Sequence, residues 1–138
     1  EVTAELLERR LERAGLRWAR AEVWQEPIPL LVLLGAGPAD VTPGGTAVLL
    51  RSLVREAILY FEPGEVADAR RALASRWLLE SRTPEGLAGR IAEQLARSGT
   101  AEGVLEYGAA LARVELGAVA NLLAELELAI PLAVELSP

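Results

Sequence analysis

The side chains that perform most enzyme chemistry are missing from this sequence, and their absence excludes several classes of reaction. The chain has no histidine and no cysteine, and all 14 of its basic residues are arginine. Without imidazole or lysine, serine nucleophiles lack their usual general base, and zinc lacks its nitrogen and sulfur ligands. A metal site built from carboxylates alone stays open, although no EF-hand spacing occurs. The sequence therefore predicts no self-contained active site, and it singles out no residue as a metal ligand.

Carboxylate pairs are the remaining candidates for acid–base chemistry. Glu5 with Glu8, Glu12, and Glu125 with Glu127 lie at or near helical spacing. General acids need a surrounding that raises their pKa, and each of these residues lies among other charges without an apolar wall. We therefore interpret them as solvated helix faces.

A glycine-rich stretch, Gly35-Ala36-Gly37, follows an apolar run and could be mistaken for a phosphate-binding loop. It has neither the glycine spacing of a dinucleotide-binding turn nor the Lys-Ser/Thr of a P-loop. We interpret it as the turn that ends a strand.

Residues 16–25 show the alternation of a β-strand with an unusual outer face. One face carries Arg17, Ala19, Ala21 and Val23, which are mostly small enough to pack closely under helices. The other face mixes aromatic and charged side chains and suits a half-wet surface: Leu16, Trp18, Arg20, Glu22 and Trp24. This face either packs under another domain or forms a wall of a peptide-binding chamber, since aromatic residues and arginine are favoured at contact surfaces.

The remaining periodicity predicts one α+β domain over 1–138, with a layer of helices on one face of a mainly antiparallel sheet. Thr3 is the expected cap of a first helix that Gly15 ends, and Thr100 is the expected cap of a later one. The continuous apolar run 28–34 predicts a strand covered on both faces, after a break at Glu26-Pro27 and Pro29. A closing strand at 128–136 should lie at an edge or carry a bulge, because Pro131 lacks an N–H. Five helices are expected over 49–61, 66–80, 84–98, 100–112 and 115–126. The third of these has the clearest ends, with Thr83 as its cap, Pro84 at its first position and Gly99 as its terminator.

Charge and hydropathy limit the partners of the chain. The net charge is −6, and the arginines alternate with glutamates instead of clustering, so we expect no nucleic-acid binding. The longest apolar run, 28–36, is too short to span a bilayer. We expect a soluble fragment of a larger protein, with the cytoplasm slightly favoured. The arginine bias indicates a GC-rich genome, and the scarcity of amides is a trait of thermophiles.

In the order of its elements, the chain resembles the C-terminal part of a half-domain from the pitrilysin-type zinc metallopeptidases. That family includes insulin-degrading enzyme, the mitochondrial processing peptidase and the core proteins of respiratory complex III. Its members have a helix with Leu-Arg-Glu-Lys before Gly-Leu-Ala-Tyr and a strand, a place that residues 10–18 occupy here. Residues 63–70, 80–88, 107–111, 114–116 and 134–138 resemble later family segments in the same order.

The chain departs from this family where the family performs its chemistry. The zinc motif, His-x-x-Glu-His on another half-domain, is absent. The family also places an Arg and a Tyr on its second half to hold substrate and stabilise the oxyanion. Counted from Gly15, the Arg position falls on Leu11, with Arg10 one residue and a turn of about 100° away. The Tyr position falls on Trp18.

The resemblance implies a non-catalytic, substrate-enclosing half that pairs with a zinc-bearing half, in the same chain or on a partner subunit, to hydrolyse peptides. Zinc would belong to the partner half, and this chain would hold no cofactor. Trp18, Arg20, Glu22 and Trp24 would line the shared chamber, and an extended peptide could add along a strand edge. Two alternatives are a non-proteolytic assembly scaffold of the same family and a stand-alone α+β ligand-binding domain.

Overall fold

A computed structural model of the chain describes residues 1–24, 30–37 and 41–128. Within these residues it shows six helices and one antiparallel hairpin, which confirms the predicted α+β class. The predicted break at 26–29 lies outside the described residues, as does the closing strand except for Leu128, which ends the last helix. The elements are α1 Val2–Arg13, β1 Trp18–Trp24, β2 Leu30–Ala36, α2 Pro43–Leu59, α3 Pro63–Glu80, α4 Pro84–Ser98, α5 Glu102–Arg113 and α6 Leu116–Leu128.

Helix α1 brings the chain to the hairpin and is buried along most of its length. Its predicted cap was wrong: the helix begins at Val2, so Thr3 lies inside it and is buried. Leu6, Leu7 and Leu11 share an apolar stripe at helical spacing and are almost fully buried. The chain leaves the helix at Ala14, and Gly15 follows with φ +83°, a conformation that glycine adopts without steric penalty.

The ends of the later helices follow the local chemistry of their residues. Thr42 and Thr83 each accept a hydrogen bond from the backbone three residues later, and a proline follows each at the first helical position. Gly99 ends α4 in the left-handed conformation, as predicted. Thr100 was predicted wrongly as a cap, because α5 begins after Ala101 and no side chain caps it.

The hairpin packs one face against the helices and leaves its other face open. Ala19 pairs with Gly35 and Ala21 with Leu33, so these residues share a face. That face lies against the two apolar clusters that the helices form. The main cluster contains residues of α1, α2, α3, α5 and α6, which makes the helical layer and this face of the hairpin one core: Leu6, Leu7, Ala57, Ala69 and Leu123 are among its most buried members.

Two predictions about the hairpin were wrong. Strand β2 is not covered on both faces, since Leu30 is 50% and Leu34 38% exposed. Leu16 does not share the outer face with Trp18; it is buried in a cluster with Leu11 and Ala19. The chain bends at Arg17 before β1 begins, so strict alternation does not extend back to Leu16.

No helix within the described part of the chain is both long enough and apolar enough to cross a lipid bilayer.

Candidate functional site

The open face of the hairpin is the surface on which the sequence placed most of its candidate residues. Because side chains alternate along a strand and directly paired residues point the same way, the register assigns seven side chains to it, together with the backbone position of Trp24. They form four rows across the two strands, namely Trp18 with Ala36, Arg20 with Leu34, Glu22 with Val32 and Trp24 with Leu30. We call this surface the outer face.

The outer face is apolar for a surface that no described helix covers. Trp18 is 52% exposed, and Leu34 and Leu30 on the neighbouring strand are exposed to a similar degree. The β2 side of the face is a ladder of aliphatic residues two positions apart, about 6.8 Å per step, which is also the spacing of same-side residues in an extended peptide. The side chain of Trp24 lies outside the described part of the structure, so the prediction for it stays open.

One ion pair lies in the middle of this apolar surface. Arg20 Nε and Glu22 Oε1 are 2.7 Å apart, with the arginine side chain 61% and the glutamate 29% exposed. The two charges balance, so the pair adds no net charge to the face. Exposed pairs of this kind contribute about 0–1 kcal/mol to stability. The guanidinium has further N–H groups that can donate hydrogen bonds to a bound carbonyl or carboxylate.

Leu11, at which the resemblance to pitrilysin-type metallopeptidases expects an arginine, lies in the core. It is 1% exposed and clusters with Leu16 and Ala19, on the helix-covered side of the hairpin. Trp18 is on the opposite face. The structure therefore does not bring the Leu11 and Trp18 side chains together on one surface.

Arg10 is engaged in a structural contact away from the outer face. Its Nε lies 3.0 Å from Glu65 Oε1 and its Nη2 lies 2.5 Å from Glu65 Oε2, and Nη2 also donates to the Tyr60 carbonyl. The same Glu65 carboxylate accepts the backbone N–H of Glu62 at 3.0 Å, completing a capping box at the start of α3. The hydrogen bond from Arg10 lowers the pKa of Glu65. Arg10 thus ties α1 to α3.

Glu5 is a buried carboxylate, although the sequence indicated a solvated one. Its side chain is 6% exposed and lies between Arg9 Nε at 2.9 Å and Arg76 Nη2 at 3.0 Å. Arg9 is one helical turn away, but Arg76 belongs to α3. Local sequence could not reveal this second partner, because the contact joins residues 71 positions apart.

A shallow groove of about 330 Å³ runs between the start of α1 and helices α5 and α6. Its polar end is formed by Tyr107, whose hydroxyl donates to Glu1 Oε2 at 2.6 Å and whose ring stacks on Trp77. Burial raises the pKa of Tyr107, and the hydrogen bond to Glu1 raises it further. No pattern in the sequence predicts this groove. The rest of its lining is mostly aliphatic, with no nucleophile paired to a base: Val2, Ala110, Leu111, Val114, Val119 and Leu122.

No group of three or more acidic residues in the described ranges is arranged to hold a metal ion.

Comparisons with known proteins find similarity in the fold of this chain but none in its sequence. No protein-family pattern matches the sequence, and no curated protein matches it either. Among solved structures, the chain is similar to a protease from Helicobacter pylori, with a TM-score of 0.72 and 11% identity over 90% of this chain and 34% of that one. It is also similar to the periplasmic protease PqqL from Escherichia coli, with a TM-score of 0.65 and 13% identity over 90% of this chain and 15% of that one. The chain thus spans about a third or less of these proteases, and what it shares with them is a fold.

Proposed function

We propose that this chain is a non-catalytic, substrate-enclosing half of a pitrilysin-type zinc metallopeptidase. It pairs with a zinc-bearing half, on the same polypeptide or on a partner subunit, and that half performs the hydrolysis. The outer face lines the chamber that the two halves enclose, and Trp18, Arg20, Glu22 and Trp24 contact the peptide there.

The observation that carries this proposal is the exposed, apolar and charge-balanced outer face on a fold that two proteases share. Trp18, Leu30 and Leu34 expose 52%, 50% and 38% of their surface. Such a face is suited to hold an extended peptide by side-chain contacts, with the Arg20–Glu22 pair available to peptide polar groups. The likeness to proteases supports the fold on which the proposal depends.

The first experiment measures the binding of fluorescently labelled unstructured peptides to the chain by anisotropy. We expect Trp18→Ala to weaken binding by about 10-fold to 30-fold, the range of a central aromatic anchor of about 1.4–2 kcal/mol. Tyr60→Ala is the matched control, because Tyr60 is an aromatic residue that is 73% exposed, follows α2 and is not part of the hairpin. Equal binding by the wild type and Trp18→Ala would contradict the assignment of the outer face.

The second experiment tests the division of labour. The chain incubated alone with added zinc should not cleave peptides, because no histidine or cysteine is present to ligate zinc. Co-purification should recover a partner that carries His-x-x-Glu-His, and cleavage should appear only with that partner. Robust turnover by the chain alone would sink the proposal.

A non-proteolytic assembly scaffold of the same family is the second candidate, and exposed leucines on the helical side favour it. Leu78 and Leu79 at the end of α3 are 58% and 62% exposed, and Leu105 on α5 is 86% exposed. Contacts with further proteins would bury them. Recovery of a large assembly without the inverted zinc motif would support this candidate over the peptidase half.

A stand-alone ligand-binding domain has less support. That hypothesis needs the Trp18 side buried around a cavity within the chain, whereas Trp18 is half exposed.

A further inference from the structure

The hairpin has two long edges, and the edge of β1 that faces away from β2 contacts a side chain of α1. The backbone N–H of Ala21 donates to Glu8 Oε2 at 2.8 Å. Glu8 is partly buried, and α1 lies against β1. This bond links the helix that precedes the hairpin directly to the backbone of its first strand.

The direction of this N–H shows which amides form the outer edge. In an antiparallel ladder, N–H groups point alternately toward and away from the partner strand. Because the Ala21 N–H points to Glu8, the N–H groups of Ala19 and Val23 also point away from β2. Ala21 is the middle donor of the three.

An unpaired strand edge is a template for another extended chain, and proteins close such edges with charged side chains or a covering helix. Glu8 is a device of the first kind. Its carboxylate takes the central donor of the edge, with a charge-assisted hydrogen bond that is stronger than one to a neutral carbonyl. An incoming strand would have to displace this carboxylate before it could pair with Ala21.

We propose that Glu8 closes the outer edge of β1 to strand addition by an extended polypeptide, including a second copy of this chain. Peptides and partner chains then reach this strand through its outer face. The inference depends on the Glu8–Ala21 contact and stands or falls separately from the peptidase proposal.

The test compares Glu8→Ala, Glu8→Asp and Glu8→Gln with the wild type and with Glu12→Ala, an exposed acid on the same helix. Amide hydrogen exchange by NMR reports the Ala21 N–H, and sedimentation velocity reports self-association. In Glu8→Ala and Glu8→Asp the side chain cannot reach the edge, so the Ala21 N–H should exchange at least 10-fold faster than in the wild type. Both variants should also self-associate as the protein concentration is raised, whereas the wild type should not. Glu8→Gln keeps an acceptor oxygen but loses the charge, so its Ala21 N–H should exchange at a rate between those of the wild type and Glu8→Asp. Glu12→Ala should resemble the wild type.

The proposal is overturned if Ala21 exchanges at the wild-type rate in Glu8→Asp, or if that variant opens the edge without self-associating. If Glu8→Ala fails to fold, the Glu8→Asp result decides. In the wild type, Ala21 should also exchange more slowly than Val23, whose N–H points along the same edge, and the opposite order would contradict the closure.

Discussion

The two faces of the hairpin differ in the size of their side chains and in what lies against them. On the covered face, Ala19 is 9% exposed and packs in a cluster with Leu11 and Leu16. On the outer face, its neighbour Trp18 is 52% exposed. Along β1, the alanines Ala19 and Ala21 lie next to the helices, and the large aromatic side chain of Trp18 points outward.

Under the proposed function, this difference separates the residues that hold the fold together from those that contact a peptide. Alanine on the covered face allows the helices to approach the sheet closely, so this face carries the packing that holds the fold together. The outer face carries a tryptophan, aliphatic residues and an ion pair that the described helices do not use. Substitutions on the covered face should therefore unfold the chain, whereas substitutions on the outer face should change what it binds.

The largest expected effect is that of Leu11→Arg, which would place an arginine where the resemblance to pitrilysin-type metallopeptidases expects one. Leu11 is 1% exposed, and an unpaired charge in a core destabilises by several kcal/mol, a large part of the about 5–15 kcal/mol that holds a typical domain folded. We expect this variant to lose its cooperative unfolding transition in urea, followed by circular dichroism.

Leu30→Arg is the matched control, because Leu30 is 50% exposed on the outer face. It should change the free energy of unfolding by no more than about 0.5–1 kcal/mol. A folded Leu11→Arg chain with enhanced peptide turnover in the complete assembly would contradict the placement of Leu11 in the core and support a catalytic position there.

Much of this architecture could be predicted from local chemistry. The Thr83-Pro84 start and the Gly99 end of α4 were correct, because caps depend on residues close in sequence. The alternation of β1 correctly placed Trp18 on an open face and Ala19 on a covered one. These features depend on periods of two or on contacts within a helical turn.

The errors share a different physical origin. The exposure of β2 depends on which elements lie against the sheet, and an apolar run in the sequence does not show whether one face or both faces are covered. The burial of Glu5 depends on Arg76, which reaches it from another helix. The bend at Arg17 moved Leu16 to the covered side and cannot be read from hydrophobic alternation alone.

An intermediate effect on stability is expected at Glu65, which pairs with Arg10. Its pKa is lowered below the usual 4.5, mainly by the hydrogen bond from Arg10. A carboxylate with a depressed folded-state pKa stabilises the fold fully above its unfolded pKa, and this stabilisation is lost as the pH falls through the folded pKa. Glu65→Gln should therefore be less stable than the wild type by about 1–3 kcal/mol near neutral pH, the range of charged hydrogen bonds.

The measurement is urea unfolding of both chains from pH 7 down to pH 2. The difference between them should stay constant above about pH 4.5 and shrink below it. Glu12→Gln, which removes an exposed charge from α1, should change stability by no more than about 0.5 kcal/mol at neutral pH. A gap between wild type and Glu65→Gln that does not shrink in acid would refute the role of the ionised carboxylate.

The smallest expected effect on stability is that of Arg20→Ala on the outer face. The Arg20 side chain is 61% exposed, and an exposed ion pair contributes about 0.2–1 kcal/mol at most. Arg10→Ala is the matched comparison, because the Arg10 side chain is only 15% exposed in its ion pair with Glu65. Its loss should lower the free energy of unfolding clearly more than the loss of Arg20 does. Urea unfolding at low and high salt measures both, and the small Arg20 contribution should fade with salt. If Arg20→Ala destabilises the chain as much as Arg10→Ala, the outer face contributes to folding and the division between the two faces is wrong.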